Sequence, residues 1–147
     1  PYMTSILHKN LAHNRAWNCQ VISAAAWDET GLELPFPEPD LKEFDSLGSY
    51  GIIPKSKSKR LIHSIALDDL NLDNVSLIKV DVQGADLKAM QGLAKTIARC
   101  KPVILFEYEE IFDEDYGVTK DDYEDFLESI GYAVTQSYNT NYLALPK

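Results

Sequence analysis

Apolar residues near the N-terminus recur at helical spacing. Met3, Ile6, Leu7 and Leu11 fall at i, i+3, i+4 and i+8, which predicts one stripe of an amphipathic helix over residues 3–14, with Pro1 just ahead where proline is tolerated. The pattern then changes. Cys19–Trp27 is a compact apolar run, containing Val21, Ile22 and three successive alanines, and reads as a buried strand. Asp28–Gly31 is a turn, and Trp17 and Trp27 are expected in the core. From Gly31 to Lys59 the periodicity breaks up around Pro35, Pro37, Pro39, Pro54, Gly48 and Gly51. Proline removes ladder donors and glycine loosens the backbone, so residues 31–60 are expected to form a long irregular excursion with a short edge strand at Leu32–Phe36.

Order returns at Leu61–Ile65, a short strand, and at the apolar run Ser76–Val82, which is closed by Gln83–Gly84. Leu87, Met90, Ala94 and Ile97 then predict a helix over Ala85–Cys100, with Asp86 in its first turn where a carboxylate suits the helix dipole. Pro102 ends that helix and opens a second buried strand, Val103–Glu107. Thr119 and Asp122 have the spacing of a capping box ahead of an apolar face made by Tyr123, Phe126, Leu127 and Ile130, and Gly131 fits a left-handed cap. Tyr132–Ser137 and Asn141–Leu145 form a hairpin about Tyr138–Thr140. The succession of strands and helices predicts an α/β domain with a mainly parallel sheet, right-handed crossovers and a C-terminal antiparallel hairpin.

Composition narrows the function classes. The length of 147 residues suits a single domain spanning 1–147. A net charge of −9 opposes attraction to nucleic acid and to anionic lipid, and the one basic run, Lys55–Arg60, reads as a solvated loop. Cys19 and Cys100 are too few for a disulfide framework, and no apolar run is long enough to span a bilayer; a cytoplasmic protein is expected.

In open parallel sheets, ligands bind beyond the carboxyl ends of the strands. Asp81 lies at the end of one buried strand, and Glu107, followed by Glu109, lies at the end of the next. If the strands are neighbours, these carboxylates share one cleft and can act as general base, as acceptors for a substrate hydroxyl or amine, or as metal ligands; the bland alternative is a set of cap acceptors or solvated strand ends. Lys79 lies on the same strand face as Asp81 and is expected to pair with an acid there. His8, His13 and His63 lack metal-ligand spacing, and no metal is expected. Trp27–Asp28 can flank a planar ligand. No G-x-S-x-G elbow, P-loop, H-E-x-x-H or complete G-x-G-x-x-G is present.

The stretch Ser76-Leu-Ile-Lys-Val-Asp-Val-Gln-Gly-Ala-Asp86, then Ala89-Met-Gln-Gly-Leu93, then Lys101-Pro-Val-Ile-Leu-Phe-Glu107, resembles the central block of FkbM-type methyltransferases. Ser64–Leu70, the segment Asn10–Asn14, Ala26-Trp-Asp28 and Asn141–Pro146 resemble its flanking motifs in the same order. The resemblance implies a class I methyltransferase-like (Rossmann-like) sheet and transfer of a methyl group from S-adenosylmethionine to a hydroxyl, on a sugar or a secondary metabolite. Carried over by position, Asp81 and Glu107 are the catalytic carboxylates. Asp81 also lies near the cofactor's methionine end, Ala26 and Asp28 lie near its adenine, and Lys79, Gln83 and Glu109 meet the substrate. Gln83 and Asp86 replace the family's usual two glutamates. The family's first strand and glycine-rich cofactor loop precede the point matching Pro1, so N-terminal strands are expected to be missing. The alternative is a shortened, non-catalytic binding or assembly module. An exposed sheet edge would suit a homo-oligomer.

Overall fold

The computed structural model describes residues 2–38, 48 and 50–147. Helix α1, Tyr2–His13, follows the N-terminal stripe, but only Ile6 and Leu11 are half-buried, while Met3 and Leu7 stand in solvent. Strand β1 is Ala25–Ala26, β2 is Glu33–Pro35 and β3 is Leu61–Ile65. These three make a small sheet in the order β1-β3-β2, with β3 parallel to β1 and antiparallel to β2.

A second sheet has the order β4-β5-β7-β6, from β4 (Leu77–Lys79), β5 (Val103–Glu107), β6 (Tyr132–Tyr138) and β7 (Asn141–Pro146). Strands β4 and β5 run parallel, while β5/β7 and β6/β7 run antiparallel. The expectation of a mainly parallel sheet is thereby corrected: both sheets are mixed. The returning edge strand β2 and the C-terminal hairpin account for every antiparallel pairing. That hairpin turns at Asn139, which takes the left-handed conformation tolerated by asparagine.

The connection from β4 to β5 is helical, as expected, but not one helix. It divides into α2 (Asp86–Gln91) and α3 (Ala94–Cys100) at Gly92-Leu93. Two contacts explain the break. A Cβ on Gly92 would lie 1.9 Å from the Trp27 carbonyl oxygen, so the helix is pressed against the end of β1. The Asp68 carboxylate accepts the Lys95 and Thr96 amides at 2.9 and 2.8 Å and the Thr96 hydroxyl at 2.7 Å, capping α3 from a 3-10 turn over Leu67–Leu70. The remaining helices are α4 (Asp113–Tyr116) and α5 (Lys120–Ser129); α5 carries the expected Thr119/Asp122 capping box, and Gly131 follows at φ +84°.

Two other expectations are corrected. The strand predicted over Cys19–Trp27 forms only at Ala25–Ala26, because β3 runs alongside only there. Trp17 is 76% exposed, whereas Trp27 is buried as expected. Asp86 stands in the first turn of its helix, now α2, as expected, and is buried there. Within the 31–60 excursion the short edge strand is present as β2; Pro39, and the rest of 39–47 with residue 49, lie outside the described residues.

The main core lies between the larger sheet and the helices. Ile104 and Phe106 of β5 and Tyr142 and Ala144 of β7 are buried against Met90, Ile97 and Leu127. Phe106 stacks between Tyr123 and Tyr142 at 5.7 and 5.4 Å. A smaller core of Trp27, Ile52 and Ala85 lies under the small sheet, and Val82 packs against both clusters. Among the described residues, no helix is long and apolar enough to cross a membrane.

Candidate functional site

Parallel pairing of β4 with β5 sets the geometry. The register places Lys79 beside Leu105, and the Val80 amide donates to the Leu105 carbonyl at 2.8 Å. Side chains alternate along a strand, so Asp81 and Glu107, each two residues beyond that pair, leave the sheet at the same end. Glu109 follows on the same rim. Its carboxyl is held above the usual carboxylate range by burial first, and then by repulsion from Glu107 and Asp81. The three acids therefore share one field.

Each has a defined neighbour. Asp81 pairs with Lys79 at 3.2 Å and accepts from the Gln83 amide at 3.3 Å. Glu107 is half-buried and accepts the Thr140 hydroxyl at 2.6 Å, across the tip of the C-terminal hairpin. Asp28, beyond the end of β1, forms an ion pair with Lys88 of α2 at 2.6 Å. Tyr108, between Glu107 and Glu109, donates to Asp113 at 2.9 Å, and burial with that bond pushes its hydroxyl up to about 12.

A cleft of about 240 Å³ opens beside Asp81. Ala24–Ala26 and Ile62 line it from the small sheet, and Asp81, Val82, Gln83 and Ala85 line it from the end of β4. Phe36, Gly48, Tyr50, Gly51 and Ile52 of the excursion supply the remaining wall. Of the residues singled out from sequence, the cleft gathers Ala26, Asp81 and Gln83; Asp28, Lys79, Glu107 and Glu109 do not line it. The excursion residues were missed, although Tyr50-Gly-Ile-Ile53 is an apolar cluster within a proline-rich stretch and was a usable signal.

The turn after β4 is tightly held. Gln83 and Gly84 have φ of +55° and +92°, and a Cβ on Gly84 would lie 2.7 Å from both Phe112 and Tyr116. Gly51 abuts Gln83 so closely that an added Cβ would meet the Gln83 carbonyl at 2.7 Å. The Tyr116 hydroxyl is shared between the carbonyls of Ile52 and Gln83, and its ring faces Trp27 at 6.3 Å. Behind the turn, Asp86 is 1% exposed, and burial, ahead of the opposing backbone amides, pushes its carboxyl up to about 6. Among the described residues, no group of three His, Cys, Asp or Glu side chains comes together as a metal site would require.

Chemically, this is a small apolar cleft with one carboxylate, Asp81, in its wall at the carboxyl end of β4, while Glu107 and Glu109 stand at the same end of the sheet outside its lining. Such a site can seat a flat apolar moiety, hold a cationic group, and accept a proton from a hydroxyl. No curated protein matches the chain significantly. Among solved structures, the crystal structure of methyltransferase FkbM from Methylobacillus flagellatus KT is similar, with a TM-score of 0.59 and 20% identity, over 97% of this chain and 32% of that one. The chain thus spans about a third of that protein's length, and at this identity the likeness concerns the fold. Residues 4–134, which include the whole β4-turn-α2 block and β5, match the methyltransferase FkbM domain, and the chain belongs to that family.

Proposed function

We propose that the chain is part of a methyltransferase that uses S-adenosylmethionine and methylates a hydroxyl on a sugar or secondary metabolite. The observation that carries this reading is the parallel β4/β5 pair, which brings Asp81 and Glu107 to the same end of the sheet, with Asp81 in the wall of a cleft that Ala26 also lines. The residues present fit the cofactor's chemistry. Ala24–Ala26, Phe36, Ile52 and Ile62 offer apolar surface suited to an adenine, and the Asp81 carboxylate suits an ammonium group.

When bound, the cofactor supplies an electrophilic methyl on a sulfonium. The chain's part is to position and to move a proton. Asp81, paired with Lys79 and hydrogen-bonded by Gln83, would hold the cationic end of the cofactor. Glu107, fixed by Thr140, accepts a hydrogen bond from the substrate hydroxyl. Glu109, whose proton affinity is raised by burial and its acidic neighbours, is suited to take up the proton released from that hydroxyl. Asp28, through Lys88, ties the end of β1 to α2 and would thereby steady Ala26, which lines the cleft where an adenine could lie.

Isothermal titration with S-adenosylmethionine tests the reading directly. Binding is expected in the wild type, and Asp81→Asn should weaken it about tenfold or more through loss of a charge-assisted contact. Absence of heat at millimolar cofactor would instead favour the reading as a non-catalytic binding or assembly module.

A further inference from the structure

We infer that Asp86 is the positioning residue of the cleft: from behind, its buried carboxylate holds the Val82–Gly84 turn, and one proton gained or lost there alters the wall the turn presents.

The geometry is specific. Val82 and Gln83 line the cleft, and Gly84 lies behind them against Phe112 and Tyr116. With Gln83 and Gly84 both at positive φ, the turn needs a partner that holds its amides in place. Asp86 is that partner: its Oδ2 accepts the Gly84 amide at 3.2 Å, and the Val82 amide and its own amide also favour the ionised form. Nothing among the described residues meets Oδ1. A buried acceptor without a partner is unfavourable, and a charged one more so.

The surrounding groups offer the charge no relief. From the end of β4, Asp81 repels it. From α4, the Tyr116 hydroxyl is turned to the Ile52 and Gln83 carbonyls; from α5, the Tyr123 hydroxyl is turned to the Gly84 carbonyl at 3.5 Å. Both phenols are pushed up by burial first and then by the Asp86 charge. On α2 itself, Lys88 is engaged by Asp28. Protonation is therefore the available response. It removes the charge that holds the Gly84 amide and turns Oδ1 from an orphaned acceptor into a donor. With the carboxyl near 6, this exchange falls in a range that modest acidification reaches.

The inference rests on reading this cleft as the ligand site, so two separate measurements are needed. In amide-resolved NMR of the full chain from pH 4.5 to 7.5, the Val82, Gly84 and Asp86 amides should shift together with a midpoint near 6, as should Gly51 across the wall. Asp86→Asn should abolish that titration, Asp86→Glu should retain one, and Asp81→Asn, which removes a repelling charge, should retain it with a lower midpoint. Amides that do not move in the wild type, or a titration that survives Asp86→Asn or vanishes in Asp81→Asn, would overturn the inference. If Asp86→Asn does not fold, the wild-type and Asp81→Asn spectra still decide. Calorimetry with S-adenosylmethionine should then show affinity falling roughly tenfold from pH 7.5 to 5 in the wild type, and a flatter profile in Asp86→Asn. No binding at any pH defeats the cofactor reading alone; equal pH dependence in both proteins counts against Asp86.

Discussion

Gly92 and Gly84 are required for different reasons, and the difference can be measured. Gly92 has ordinary helical angles, so Gly92→Ala acts only through the contact with the Trp27 carbonyl, and forcing that approach should lower stability by about 1–3 kcal/mol. Gly84→Ala adds a positive φ to its clash with two aromatic rings and should be the more damaging of the two in urea denaturation. Asp86 acts in the opposite sense to most buried acids with strong partners. Its folded carboxyl sits near 6, above the ordinary 3.8, so between those values the native state keeps a proton that the unfolded chain has released. Stability from this group is thus fully present at low pH and falls as pH rises through that window, by about 3 kcal/mol. Asp86→Asn should remove that slope, so the stability difference between variant and wild type should grow from pH 4 to 7; a constant difference would contradict this account.

At the scale of elements, the Asp68 cap decides where α3 begins. Burial works against ionisation of Asp68, but hydrogen bonds from Lys95 and Thr96 outweigh it and hold the carboxyl below its usual range. A lowered acid contributes stability above its unfolded value, and that contribution is lost as pH falls through the folded one. Asp68→Ala should destabilise the protein by about 1 kcal/mol at neutral pH, as loss of a helix cap does, and by less in acid, as the wild-type carboxyl takes up its proton. Thermal unfolding at the two pH values checks both parts. The residue lies in the Leu67-Asp-Asp-Leu70 segment that resembles a family motif, and here it serves the fold: its neighbour Asp69 accepts the Thr30 hydroxyl at 2.5 Å, stitching the turn after β1 to β3.

Across the whole molecule, 23 acidic residues face 14 basic ones. Like charges that are largely exposed repel through solvent, and salt screens them within about 8–10 Å at physiological ionic strength. Raising salt at pH 7 from low to moderate concentration should therefore raise the melting temperature by a few degrees. A falling melting temperature would mean that exposed pairs such as Lys120–Glu124 and Lys147–Glu128 contribute more than the net repulsion takes away.

Local patterns were legible wherever a local cause dominates. The α5 capping box, the C-terminal hairpin, strands β3 and β5 and the acidic rim at residues 81, 107 and 109 all follow from spacing, turn chemistry and the alternation of apolar residues. The break in the α2–α3 segment, the shortness of β1, the exposure of Trp17 and the burial of Asp86 were not legible. Each depends on what another part of the chain brings: the Trp27 carbonyl, the Asp68 carboxylate, the availability of a neighbouring strand, or the rings of Phe112, Tyr116 and Tyr123. The cleft shows the same division. Sequence alone determined that carboxylates would stand at strand ends, because alternation and strand length are properties of neighbouring residues. Only the tertiary structure decided which wall they face and how tightly each holds its proton, because burial and field are set by residues far away along the chain.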